Sequence, residues 1–182
     1  TINAGYILSE DGKTAVIETA AANGLALIPK EKRNPMEATT FGTGELIKNA
    51  IRRGCRNILL GIGGSATNDA GTGMLQALGI RFRDENGTIL GYGGKILTRI
   101  ASIDESGVLP ELKDCRFTII CDVNNPLFGP NGAAYVYAPQ KGADHEQVRF
   151  LDKGLRNFSH IIEQEKGINI SKVSGAGAAG GM

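Results

Sequence analysis

Ser65, Thr67, Asn68 and Asp69 crowd into one short stretch, GIGGSATND at 61–69, directly after Gly63 and Gly64. Two hydroxyls, an amide and a carboxylate surround a backbone that a ligand can approach closely, because glycine carries no Cβ. An apolar run, Asn57 to Gly61, precedes the stretch, and a helix pattern from Asp69 to Leu78 follows it. The first turn of a helix has unpaired N–H groups and the positive end of the dipole, so this order describes a cradle for phosphate or carboxylate. Gly63, Gly64, Ser65, Thr67 and Asn68 are its candidate contacts. Asp69 suits a metal, a substrate hydroxyl or a helix cap. The plainer alternative, in which the polar residues only cap the helix and the glycines only turn the chain, accounts for fewer of them.

A second group lies in CDVNNPLFGPNGA, residues 121–133. Asp122 ends a strand pattern, RFTIICD, and ligands of open α/β sheets lie outside such strand ends. Its carboxylate could hold Mg²⁺ or accept a hydroxyl proton, and Asn124 and Asn125 could orient a substrate through their amides. An Asx turn closed by Asn125-Pro126 explains the same residues equally well. In APQKGAD, residues 138–144, Lys141 precedes a long helix pattern and could neutralise phosphate charge, although most loop lysines are merely solvated. His145 and His160 pair with no nucleophile and read as surface or packing residues.

Two nucleotide motifs fail or stay weak. A Walker A loop requires G-x-x-x-x-G-K-[ST]. Gly12-Lys13-Thr14 supplies the ending, but Ile7 stands where the first glycine belongs, and Gly94-Lys95 is followed by Ile96. Gly175, Gly177 and Gly180 spell GxGxxG without a strong strand before them. The acidic residue expected about 20 positions later would lie past residue 182. A loop in which Gly175 and Gly177 approach some phosphate is the better reading.

An α/β framework must position these groups. Residues 3–8 and 13–19 read as a hairpin about Asp11-Gly12. The small-residue stretch 19–35 reads as irregular and near a ligand. Residues 44–53 form a helix pattern capped by Thr43 and stopped by Gly54. Strand patterns at 80–82 and 88–90 flank Asn86-Gly87, 96–102 is weakly helical, and 116–122 and 133–138 are further strands. Asp144 and Gln147 form a capping box for a helix with Val148, Leu151, Leu155, Phe158 and Ile162 in one stripe, ended by Gly167. The alternation predicts an α/β fold with a mixed sheet.

With 182 residues the chain allows one substantial domain or two small ones. A net charge of +1 without a long basic run argues against nucleic acid. No apolar stretch approaches the roughly 20 residues of a membrane helix. Cys55, Cys115 and Cys121 are odd in number and form no CxxC, as expected of reduced thiols in a cytoplasmic protein. The chain starts at Thr1 and stops inside a glycine-rich run, so both ends are expected to be cut from a longer protein.

GIGGSATNDAGTGMLQALG at 61–79 resembles the signature loop of the bacterial type I glycerate kinases. DGKTAVIETAAANGLALIP at 11–29, NPMEATTFGTGELI at 34–47, CDVNNPLFGPNGAA at 121–134, APQKGA at 138–143 and GAGAAGGM at 175–182 are similar to that family in the same order. The resemblance implies a kinase that moves the γ-phosphoryl group of ATP to D-glycerate with Mg²⁺, giving 2-phosphoglycerate, with 3-phosphoglycerate as the other regiochemistry. It implies a two-domain α/β fold, of which residues 1–182 would be mostly the second, inserted domain, inactive alone. Homo-oligomerisation stays open. Asp122, Asp69 and Lys141 become the catalytic candidates, Asp122 the Mg²⁺ ligand. Rival readings are a glycerate-binding sensor without turnover and a nucleotide-linked oxidoreductase using 175–180.

Overall fold

The computed structural model describes residues 2–182. Its main sheet has four strands in the order β1-β2-β3-β6. β1 (Ile7–Leu8) runs antiparallel to β2 (Thr14–Glu18), the expected hairpin with a shorter first arm. A short helix α1 (Ala20–Asn23) and a longer one, α2 (Phe41–Arg52), lead to β3 (Asn57–Gly61), which pairs parallel with β2. After α3 (Thr72–Ala77), a two-stranded ribbon pairs β4 (Arg81–Arg83) antiparallel with β5 (Ser102–Asp104). β6 (Arg116–Ile120) then lies parallel beside β3, with Gly61 opposite Ile120. The mixed sheet read from the sequence is therefore present. Ala15 and Ile17 on β2 and Ile58 and Leu60 on β3 alternate inward against Ile47, Ala50 and Ile51 of α2. All of β6 is exposed, Phe117, Ile119 and Ile120 included.

A second core surrounds the last long helix. After α4 (Ala133–Tyr137), α5 (His145–Lys166) buries Val148, Leu151, Leu155 and Phe158 against Phe82, Leu97 and Leu127. Phe158 meets Phe82 edge to face at 5.7 Å. Fully burying such a side chain contributes about 1.5–3 kcal/mol. Both sequence signals for this helix hold. Asp144 accepts from the backbone N–H groups of Glu146 and Gln147, Gln147 accepts from the Asp144 N–H, and Gly167 ends the helix at φ +68°. Asp144→Ala is expected to cost about 1 kcal/mol in urea unfolding.

Four expectations give way. Residues 133–138 form helix α4, not a strand. Ala133, Ala134 and Ala138 pack inward at helical spacing while Tyr135 and Val136 face out, so burial of small residues overrides the β preference of Tyr-Val-Tyr. α2 begins at Phe41, which leaves Thr43 buried inside it, its hydroxyl donating to Asn23 Oδ1. α3 begins at Thr72, not Asp69. β4 takes its partner from Ser102–Asp104, a strand hidden in mixed sequence, and meets the expected 88–90 strand only at the Arg83–Ile89 bridge.

Candidate active site

The C-terminal ends of β3 and β6 open into a pocket of about 290 Å³, lined among others by Gly63, Gly64, Ser65, Asp122 and Lys141. It lies where parallel strands end, the usual ligand position in open α/β sheets. Of the loop after β3, only Gly63 and Gly64 are exposed; everything from Ser65 to Gly73 is buried. The chain turns at Gly64, φ +71°, and an added Cβ at Gly63 would meet nothing within 4 Å. The N–H groups of Gly63, Gly64 and Ser65 donate to no acceptor among the described residues. Consecutive free N–H groups at such a turn form an anion-accepting concavity.

The buried remainder of the loop is a scaffold. Leu25 N–H donates to Gly64 O at 2.8 Å, Ala66 N–H donates to Asn23 O at 2.8 Å, and Asn23 Nδ2 donates to Thr67 Oγ1. The small-residue stretch at 19–35 thus braces the loop, and its Leu25 also lines the pocket. Thr67, Asn68 and Asp69 are not on the pocket wall. Asp69 Oδ2 accepts from Thr40 N–H (2.8 Å), Thr40 Oγ1 (3.0 Å) and Gly73 N–H (3.3 Å), which pins the start of α2 to the first turn of α3. Burial pushes its carboxyl above the usual carboxylate range, against the lowering effect of those donors. The first turn of α3 is therefore occupied by this clamp, and the free N–H groups lie at the Gly63–Ser65 turn instead of at a helix end.

Lys141 is 2% exposed. Its Nζ donates to Thr67 O at 2.5 Å and to Ser65 Oγ at 3.2 Å, while Ser65 Oγ donates to Ala179 O at 3.0 Å. An ammonium has three donors, so one remains for the pocket. No carboxylate lies within ion-pair reach of it among the described residues. Burial lowers its pKa from 10.5 to about 8, partly offset by the field of Asp69. A buried cation without a contacting anion is costly, and an anionic ligand would repair that deficit.

Asp122 is exposed two residues past β6 and lines the pocket. Tyr137, across from it, donates through its hydroxyl to Asn125 Oδ1 at 2.6 Å. Burial first, then the nearby Cys121 and Asp122, holds that phenol above its usual range. Asn124 instead accepts from Ser174 Oγ at 3.3 Å, away from the pocket wall. Gly175 and Gly177 also lie off it. A Cβ on Gly177 would fall on the Pro126 carbonyl, and one on Gly175 would approach Val123 O to 2.9 Å. These glycines let the 174–181 turn nest on the 121–127 loop, helped by Gly177 N–H donating to Asn125 O. Two alanines hold positive φ where that turn meets the loop after β3, Ala70 at 52° and Ala179 at 50°, and Ala70 N–H donates to Gly180 O. Sequence reading missed Leu25, Tyr137 and Gln140, whose types are ordinary; only their place beside strand ends marks them. Gly177→Ala should destabilise by about 1–3 kcal/mol through overpacking, whereas Gly63→Ala should leave the melting temperature within a degree or so and weaken ligand binding.

Parallel strands bring a glycine loop and a buried lysine to one pocket at their C-terminal ends, the arrangement of an open α/β protein with a ligand site at its strand ends. Comparison with known proteins gives the family. The model of the glycerate kinase family matches residues 1–182. The chain is 51% identical over 181 residues to the glycerate 2-kinase of Escherichia coli K12, an alignment that covers 100% of this chain and 48% of that protein. It is 48% identical over 181 residues to the glycerate kinase of Bacillus subtilis 168, covering 100% of this chain and 47% of that protein. A crystal structure of a Salmonella typhimurium LT2 protein described as a glycerate kinase 2 matches with a TM-score of 0.96 at 48% identity, over 100% of this chain and 48% of that one. The chain belongs to the glycerate kinase family and spans about half the length of the curated relatives it matches.

Proposed function

We propose that the family-length protein containing these 182 residues transfers the γ-phosphoryl group of ATP to D-glycerate and yields 2-phosphoglycerate. The observation that carries this reading is the Gly63–Gly64–Ser65 turn, exposed at its two glycines, with three free N–H groups and the uncompensated ammonium of Lys141 behind them. Family membership and the name of the Escherichia coli relative, a glycerate 2-kinase, support both the acceptor and the position.

Phosphoryl transfer asks a protein for positioning and charge stabilisation more than for covalent chemistry. The backbone of 63–65 orients an anionic group of a reactant, a carboxylate or a phosphate. Lys141 brings positive charge to that group from a water-poor wall, where a charge acts more strongly than in bulk water. Ser65, held between Lys141 and Ala179, keeps the turn and the lysine in register. Asp69 acts at a distance by fixing the loop through Thr40 and Gly73. Among the described residues no cluster of three metal-binding side chains occurs. A single carboxylate nevertheless fits Mg²⁺, which is commonly held by one or two carboxylates together with substrate phosphates and water. Asp122 would hold it, and the ion would supply neutralising charge to the phosphates of a bound reactant.

The test is ADP release by the family-length protein with ATP and Mg²⁺, measured with D-glycerate, L-glycerate and lactate. Turnover should require D-glycerate. Equal turnover with lactate, or none with any of the three, would contradict the reading.

A further inference from the structure

We propose that the pocket between the Gly63–Ser65 turn and Asp122 is the nucleotide subsite: it takes a nucleoside triphosphate, phosphates at the glycine turn and base against the apolar wall. The proposal rests on the kinase reading and decides which of its two reactants this chain holds.

The pocket lining combines two chemistries. Polar groups are the free N–H groups of 63–65, Lys141 Nζ and the Asp122 carboxylate. Between and beside them the wall is apolar, with Leu25, Ile62, Ile120, Val123, Ala178 and the ring of Tyr137. That ring is fixed in place because its hydroxyl is committed to Asn125. D-Glycerate has no apolar face, since each of its carbons carries oxygen. Set against such a wall, its hydroxyls would lose water without gaining partners. A purine offers apolar faces together with a polar edge, and Gln140 on the same rim can meet that edge. Size agrees: about 290 Å³ lies near the lower bound of roughly 300 Å³ for sites that enclose drug-sized ligands, far more than a three-carbon acid fills. Charge agrees as well. A buried ammonium with no contacting carboxylate and three consecutive free amides suit a polyanion better than one carboxylate. The rival phosphate loop at 175–180 is closed to a ligand, because Gly177 and Gly180 have backbone carbonyls where a side chain would stand.

Cys121 supplies a reporter in the pocket wall: it is exposed, Cys115 is half-buried and Cys55 is buried. In the family-length protein, N-ethylmaleimide labelling of Cys121, followed by mass spectrometry, should slow at least fivefold with ADP and stay unchanged with D-glycerate alone. Independently, Leu25→Ala and Val123→Ala should each raise KM for ATP about tenfold, the equivalent of about 1.4 kcal/mol, with KM for D-glycerate unchanged. Protection by D-glycerate but not ADP, or a rise in KM for D-glycerate alone, would overturn the assignment. The two readings fail separately. Turnover without ADP protection and without a KM shift for ATP sinks the nucleotide subsite and spares the kinase. ADP protection without any D-glycerate-dependent turnover sustains the subsite and sinks the kinase.

Discussion

Asp122→Asn in the family-length protein should lower kcat by roughly 100-fold or more, the scale of losing one electrostatic group that acts on developing charge. The fold should hardly notice. Asp122 is exposed, and among the described residues its carboxylate forms no ion pair or hydrogen bond. Surface substitutions of that kind usually stay within about 0.5 kcal/mol. A side chain with no structural partner, at the end of a parallel strand and on the wall of the pocket, is free to serve a ligand. Asparagine keeps the shape and removes the charge, so Mg²⁺ titration of the variant should show a weaker apparent affinity for the ion. Wild-type turnover with unchanged Mg²⁺ dependence would remove Asp122 from the mechanism.

Lys141→Met should cost comparable activity for a different reason. Methionine fills the same volume but takes away the cation and leaves Thr67 O without its donor, a loss on the order of 1–3 kcal/mol. It also removes a buried charge that no carboxylate contacts, so the two effects on stability oppose each other near neutral pH. The pH dependence separates them. Lys141 titrates at about 8 in the folded protein against an ordinary 10.5. Between those values the unfolded chain binds more protons than the native one, so this lysine makes stability rise with pH across that window. Below about pH 8 the native protein bears the full cost of the buried charge. Urea unfolding at pH 7 and pH 9.5 should therefore show wild type gaining on Lys141→Met at the higher pH. Catalysis should move the other way, with kcat/KM of wild type falling above about pH 8 as free Lys141 loses its proton. A stability gap that is flat with pH would mean that Lys141 is not the buried cation described.

Much of the framework could be read from local patterns, and the reasons are physical. Asn57–Gly61 announced itself as a short apolar run, and the long helix after Asp144 through its periodic apolar stripe and caps, signals that act within a few residues. The 133–138 segment did not, because its identity depends on Ala133 and Ala134 fitting a crowded core built by distant residues. The site divides in the same way. Gly63, Gly64 and Ser65, singled out by their types, line one pocket with Lys141 and Asp122. Thr67, Asn68 and Asp69 carried the same polar signal, yet three-dimensional packing buries them off the pocket wall. Composition cannot distinguish a glycine that admits a ligand, Gly63, from one that admits a neighbouring carbonyl, Gly177. Only the atoms opposite the missing Cβ decide.

The most direct test of the account is ³¹P NMR of the product made by the family-length protein from ATP, Mg²⁺ and D-glycerate. A phosphomonoester on the C2 oxygen, formed in step with ADP, is the predicted result. Phosphate on C3 would contradict the proposed regiochemistry, and no phosphoglycerate at all would contradict the kinase itself.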